Sequence, residues 1–346
     1  MVNQPMGKQS FTFEKPPVIT AWASVAGKKE MEGPLSNYFD HTQTDTYFGE
    51  KTWEQGEKRI QQLALETLAK KSNKEIYDFE LVFSGDLLNQ CIASSFGLKG
   101  FNIPYLGQYG ACSTSAQSII MSATFIESKA ARAALAVTSS HFCSAERQFR
   151  FPLEYANQRP KSATWTVTGS GAFLLTSEEK MQEWKLQPFA KITGVTTGKI
   201  VDYGIKDSMN MGAAMAPAAA DLIFQNLQDF KRRAEDYDKI ITGDLGTVGA
   251  EILCKLLDEK GYDIANVHED CGIKIYDGDT QGTGAGGSGC GCSAVTLSAH
   301  YLKELQMGRL KRILFVPTGA LLSPVSFNEG QSVPGIAHGI VLENVG

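Results

Sequence analysis

Basic charge is in short supply. Lys and Arg total 33 against 38 Asp and Glu, for a net charge of −5. A nucleic-acid-binding surface ordinarily leaves a basic balance, so that class is excluded. Long apolar runs are also missing: no stretch reaches the ~18 residues that a membrane-spanning helix needs. The first 15 residues hold no apolar run, so a signal peptide is not expected. Cysteine totals seven, an odd number that fits reduced thiols in a cytosolic compartment better than a disulfide framework. A spaced C-x-x-C pair is absent. Cys290-Gly291-Cys292 is C-x-C with no further ligands nearby, so small structural residues are expected there and not zinc. What is plentiful is glycine, 34 of 346 residues, the mark of many tight turns and close backbone approaches. Hydrophobic residues at 42 % and charged residues at 21 % are those of an ordinary folded protein.

The length fits one large α/β domain or two ordinary ones. Strands are expected over 18–25, 79–84, 133–138 and 172–176, with helices over 52–71 and 113–129. The first helix carries Ile60, Leu63, Ala64 and Leu68 on one face. A polar insertion covers 141–168. The second half runs in the same order: strands over 192–201, 239–242, 313–316 and 339–343, helices over 218–230, 247–259 and 292–306. Two internal matches support a duplication. FELVFSGD at 79–86 parallels YDKIITGD at 237–244. Segments 110–140 and 289–319 have equal length and both pass from a cysteine-bearing small-residue turn through a helix to a strand.

A duplicated α/β layout, with Cys112 opening a helix of the first half, resembles the thiolase and ketoacyl synthase superfamily. The segment YGACSTSA at 109–116 is similar to the nucleophile turn of a type III ketoacyl synthase. FEKPPVITAWASVAGKKEMEGPL (13–35), FSGDLLNQCIASSFG (83–97), YGACSTSAQS (109–118) and TGALLSPVSFNEGQSVPGIAHGIVLE (318–343) resemble, within that superfamily, the stage V sporulation proteins of this fold. The resemblance implies two βαβαβαββ halves, 1–180 and 181–346, joined as one unit in a five-layered αβαβα arrangement. It also implies binding of dipicolinic acid (pyridine-2,6-dicarboxylate), free or as its calcium chelate, in support of its uptake into developing spores. The implied partners are membrane-embedded proteins of the same operon and a second copy of the chain. The implied place is the cytoplasmic side of the inner spore membrane, peripherally attached.

A condensing enzyme of this fold needs a thiolate cysteine plus a histidine and an asparagine from the second half. Cys112 is present, at the expected start of a helix whose dipole would lower its pKa. The histidine position holds Thr242-Gly243-Asp244-Leu245, and the turn expected to carry the asparagine, 282–291, has none. Loss of the oxyanion donor alone costs about 3–4 kcal/mol of transition-state stabilisation. A non-catalytic binding site is therefore expected, with acyl-thioester condensation or acyl transfer on Cys112 as the alternative.

The candidate ligand-binding residues are Asp86, Cys112, Ser140, His141, Asp244 and Ser288. Asp86 and Asp244 each end a strand after glycine, where aspartate also serves as a turn cap. His141 follows the 133–140 strand and can approach Cys112 in space; His41, His268, His300 and His338 stand elsewhere. The 284–289 stretch satisfies G-x-G-x-x-G but lacks the acidic residue about 20 positions on, so its amides are expected to face a carboxylate at a helix N-terminus and not a dinucleotide. Asp277–Gly282 imitates half of an EF-hand loop, but Ser288 stands where glutamate is required. No cofactor and no protein-held metal are expected. In the insertion, Arg147, Arg150, Arg159 and Lys161 face Glu146 and Glu154. That set reads as a lid drawing in a dicarboxylate or as a solvated or dimer-contact loop.

Overall fold

The computed structural model describes residues 4–150 and 158–345; Glu154 lies outside them. The first half comprises β1 (Val18–Ala26), α1 (Trp53–Ser72), β2 (Leu81–Gly85), β3 (Tyr105–Gly107), α2 (Thr114–Glu127), β4 (Ala133–Ser140), α3 (Phe142–Phe149) and β5 (Gly169–Thr176). The second comprises β6 (Ala190–Thr196), α4 (Met211–Phe230), β7 (Lys239–Thr242), α5 (Gly246–Asp258), β8 (His268–Asp270), α6 (Cys290–Thr296), α7 (Leu302–Gln306), β9 (Arg312–Val316) and β10 (Gly339–Glu343). Their order across the sheet is β3-β2-β4-β5-β1 and then β6-β10-β9-β7-β8. Read outward from the seam, both halves run in the same order. Pairing sense matches as well: β2 is parallel to β3 and β4, as β7 is to β8 and β9, and the remaining neighbours are antiparallel. At the seam β1 and β6 pair only through Val18–Lys191 and Ile19–Ala190.

Alternation along the strands builds three apolar layers. Ala134 and Ala136 of β4 and Ile313 and Phe315 of β9 pack inward, with Ile119 and Ala123 of α2 and Val295 of α6 between them. Leu135 and Val137 turn the other way, onto Ile60, Ala64, Leu65 and Leu68 of α1. Leu314 and Val316 turn outward onto Leu222 and Ile223 of α4 and Leu253 and Leu257 of α5. Helix, sheet, helices, sheet and helix thus stack as five layers.

Local signals explain most boundaries. Thr52 caps α1 by accepting from the Gln55 amide at 3.3 Å, and Asn73 ends it in the left-handed region. Helix α4 starts seven residues earlier than expected. Asn210 caps it, and Pro217 lies inside the helix and not ahead of it. The expected helix over 292–306 is broken by a π turn at Leu297–Tyr301, which a 3.6-residue pattern does not reveal. The strand expected over 192–201 ends at Thr196, and Val201 instead bridges to Gly335. The polar insertion is not a plain loop: it holds α3 and a short strand, Trp165–Thr166, paired with Gly287–Ser288.

Candidate functional site

Cys112 lies on a turn held from several sides. Ala111 takes φ of 50°, a conformation that costs a side-chain-bearing residue energy and persists only where surroundings fix it. The Gly110 amide donates to Thr114 Oγ1 at 2.9 Å, and Ser113 Oγ donates back to the Gly110 carbonyl at 2.7 Å. Gly319 presses on the same turn: a Cβ there would sit 2.5 Å from the Gly110 carbonyl oxygen.

Asp244, fully buried just beyond β7, faces the turn. Its Oδ1 accepts from Thr318 Oγ1 at 2.5 Å and its Oδ2 from the Gly289 amide at 3.1 Å. Burial pushes Asp244 up to about 7. Burial first, and then the negative charge of Asp244, push the Cys112 thiol well above the ordinary range. This corrects the expectation of a dipole-lowered thiol. Helix α2 begins at Thr114, two residues past Cys112, and desolvation outweighs what its dipole offers. Cys112 is a neutral thiol.

Cys112 and Ser288 line a narrow cavity of about 30 Å³ whose remaining polar wall is Tyr109, Thr166 and Arg150. Leu87, Phe149, Met211 and Leu322 supply apolar wall. Arg150 is anchored from behind. Glu146, buried on α3, pairs with Arg150 and, at 2.9 Å, with Arg159, and it accepts from Thr166 Oγ1 at 3.3 Å. Two guanidiniums share one carboxylate, so the group carries a net positive charge beside the cavity. Burial holds Arg159 below its ordinary value, while Glu146 counters that effect.

The other expected residues are committed elsewhere. Asp86 accepts from the Leu88 and Ser94 amides at 2.9 and 2.8 Å and from Ser94 Oγ at 2.6 Å; it ties down the chain leading through the short helix Ile92–Leu98 and does not line the cavity. Ser140 Oγ donates to the Val167 carbonyl at 2.7 Å and accepts from the Gly291 amide at 3.1 Å. His141 caps α3: Nδ1 accepts from the Cys143 amide at 3.2 Å and Nε2 donates to the Thr46 carbonyl at 2.8 Å. Burial keeps it below the ordinary histidine value. The glycine turn departs from its expected role too, because the Gly289 and Gly291 amides serve Asp244 and Ser140. Asp277 accepts from the Asp279 and Thr280 amides, an ordinary Asx turn, and the described residues contain no cluster of three or more His, Cys, Asp or Glu able to hold a metal. Arg147 pairs with Glu54 outside the cavity.

Sequence reasoning missed Glu57. It is buried on α1, accepts from Ser139 Oγ at 3.0 Å and Ser144 Oγ at 2.7 Å, and is pushed up to about 8 by burial and then by Asp86. Its place on the helix's inward face was the available signal. Thr318 was missed as well, although it stands two residues after the β9 strand, in register with Ser139 of the first half.

The likeness to known proteins follows this geometry. The chain is similar to the Ascaris suum Acat5 thiolase solved with coenzyme A, at a TM-score of 0.63 and 13 % identity over 96 % of this chain and 100 % of that one. It is similar to the Bacillus anthracis acetyl-CoA acetyltransferase at a TM-score of 0.61 and 15 % identity, over 96 % and 100 % of the two chains. For 3-oxoacyl-[acyl-carrier-protein] synthase III of Aquifex aeolicus VF5 the TM-score is 0.54 and the identity 12 %, over 94 % and 99 %. These likenesses fix the fold as thiolase-like. A family model described as Stage V sporulation protein AD (SpoVAD) matches residues 7–343. The Bacillus subtilis (strain 168) protein named Stage V sporulation protein AD is 43 % identical over 340 residues, 98 % of each chain. The chain belongs to the stage V sporulation protein AD family, sporulation proteins on a thiolase-like fold.

Proposed function

We propose that the Cys112 cavity binds dipicolinic acid without chemistry and that the protein thereby supports uptake of this dianion into developing spores. Arg150 carries the proposal. It is a nearly buried guanidinium on the cavity wall, only half neutralised by Glu146, and able to take a carboxylate in bidentate fashion. Ser288 and Thr166 add hydroxyl donors, and Leu87 and Phe149 offer apolar wall to a pyridine ring. Two carboxyls near a dianion site would repel it, but Asp86 is turned away, and Asp244 titrates near neutrality with both oxygens bonded. A buried thiol held protonated is poorly disposed to attack a thioester. No helix among the described residues is long and apolar enough to cross a membrane, so the membrane-embedded operon partners would be met peripherally, from the cytoplasmic side of the inner spore membrane. A homodimer belongs to the same reading.

Calorimetry with dipicolinate tests it. Saturable binding is expected for the native protein, weakened at least tenfold by Arg150→Ala, whose loss removes one charge-assisted contact worth about 1.5–3 kcal/mol. Arg147→Ala, outside the cavity, leaves affinity unchanged. Equal affinity for native protein and Arg150→Ala would overturn the proposal. Repeating the titration with calcium separates the chelate from the free dianion: tighter binding with calcium supports the chelate, and identical affinities exclude it. The second reading, acyl transfer on Cys112, rests on the thiol lying in the cavity wall. Incubation with acyl-thioesters then leaves an acyl adduct on Cys112 in the intact mass, where the binding reading expects none.

A further inference from the structure

At the C-terminal end of the helical run from Cys290 through α7, the seam between the halves opens into a second and larger groove of about 630 Å³. The seam leaves it there because β1 pairs with β6 only at Val18 and Ile19, after which the two strands part. Its floor is aromatic: Trp22 of β1 and Phe189, just before β6, meet edge to face at 4.5 Å. Leu186 and Met307 continue the apolar lining, and Met307, just past α7, is 57 % exposed.

The rim has one sign of charge. Lys71, Lys185 and Lys303 line the groove, and no carboxylate does. Lys71 shares its charge with Asp40 at 2.9 Å, and Lys303 donates to the Tyr38 carbonyl at 2.8 Å. Lys185 has no acidic partner among the described residues. Burial, with the charge of Lys71, holds Lys303 below the ordinary lysine value despite Asp40, so a bound anion would relieve the crowding of cations. Two donors in the floor, the Trp22 indole N–H and the Thr20 hydroxyl, are buried with no hydrogen-bond partner among the described residues. Buried donors nearly always have an acceptor, so this pair marks the groove as a polar as well as an apolar site.

We propose that this groove is a second binding site, for a free amphiphilic anion: one carboxylate or phosphate head set among the three lysines, with an apolar chain or ring laid over Trp22 and Phe189. Concave apolar walls with a few convergent charges are the usual form of a small-ligand site. The site is separate from the Cys112 cavity and stands whether or not that cavity takes dipicolinate.

Monomeric decanoate is the probe, titrated into the full chain by calorimetry with dipicolinate in excess. The expected result is one saturable site. Lys185→Glu and Met307→Glu, both at exposed positions, each weaken it at least fivefold, while Arg150→Ala leaves it unchanged. Absence of saturable binding, native affinity in both groove variants, or loss in Arg150→Ala would overturn the proposal. So would binding to anionic phosphatidylglycerol vesicles with no binding of monomeric decanoate, which would make the lysines a membrane contact.

Discussion

A cysteine at a helix start is ordinarily acidified, yet Cys112 is surrounded by groups that favour its proton. Burial removes the water that would solvate a thiolate, and the negative charge of Asp244 opposes a second anion beside it. Its alkylation should be slow. With iodoacetamide at pH 7.5, peptide mapping is expected to find the half-buried Cys254 modified before Cys112. Modification of Cys112 ahead of Cys254 would contradict the neutral thiol. Asp244 itself gives binding a pH dependence. An anion in the cavity raises the proton affinity of a carboxyl that titrates near 7, so a proton is taken up on binding. Dipicolinate affinity therefore falls as pH rises through 7, by up to about tenfold per unit. Asp244→Asn flattens the profile, a comparison calorimetry makes directly. At this scale Cys112 and Ser288, singled out from the sequence, line the cavity, whereas Asp244 does not line it and bonds to Thr318 and Gly289. It could not show that His141, Ser140 and Asp86 spend their hydrogen bonds on neighbouring backbone. Those partners, such as Thr46 for His141 and Val167 for Ser140, are far away in the chain.

Between elements, the buried carboxyls act as clamps. Glu57 links α1 to Ser139 of β4 and Ser144 of α3, close to Asp86. Its folded-state pKa of about 8 lies above the ordinary 4.5, so the folded protein binds this proton more tightly than the unfolded chain. That contribution to stability is complete below the unfolded value and is lost as pH rises through about 8. The melting temperature is accordingly expected to fall between pH 6 and 9, and Glu57→Gln to lessen the fall; an equal fall in both proteins would refute the assignment. Gly319 is a second clamp. A methyl there meets the Gly110 carbonyl at 2.5 Å and the Cys112 amide at 3.2 Å. Gly319→Ala should thus displace the turn, destabilise the fold by about 1–3 kcal/mol in denaturant titrations and weaken dipicolinate binding. Element identities were largely readable from periodicity. The exceptions have local causes: Pro217 inside α4, the π turn after α6, and a polar insertion that shelters α3.

Over the whole molecule the duplication suggested by two short matches becomes a shared strand order, β1-β5-β4-β2-β3 beside β6-β10-β9-β7-β8. Equal spacing made the repeat visible. Which side chains of each copy face one another was not, because that depends on how the two sheets enclose α2 and α6. One apolar layer contains residues of both sheets, so neither half closes its core alone. A single calorimetric unfolding transition is expected, and two resolved transitions would show independent halves. The same enclosure puts Cys112 of the first half against Asp244 and Ser288 of the second, so the cavity exists only at their meeting. The central claim is that this cavity receives a dianion and leaves its cysteine untouched. A crystal structure of the protein grown with dipicolinate tests it most directly. The expected result is ligand density bounded by Arg150, Ser288 and an unmodified Cys112; an empty cavity, or dipicolinate bound only elsewhere, would contradict it.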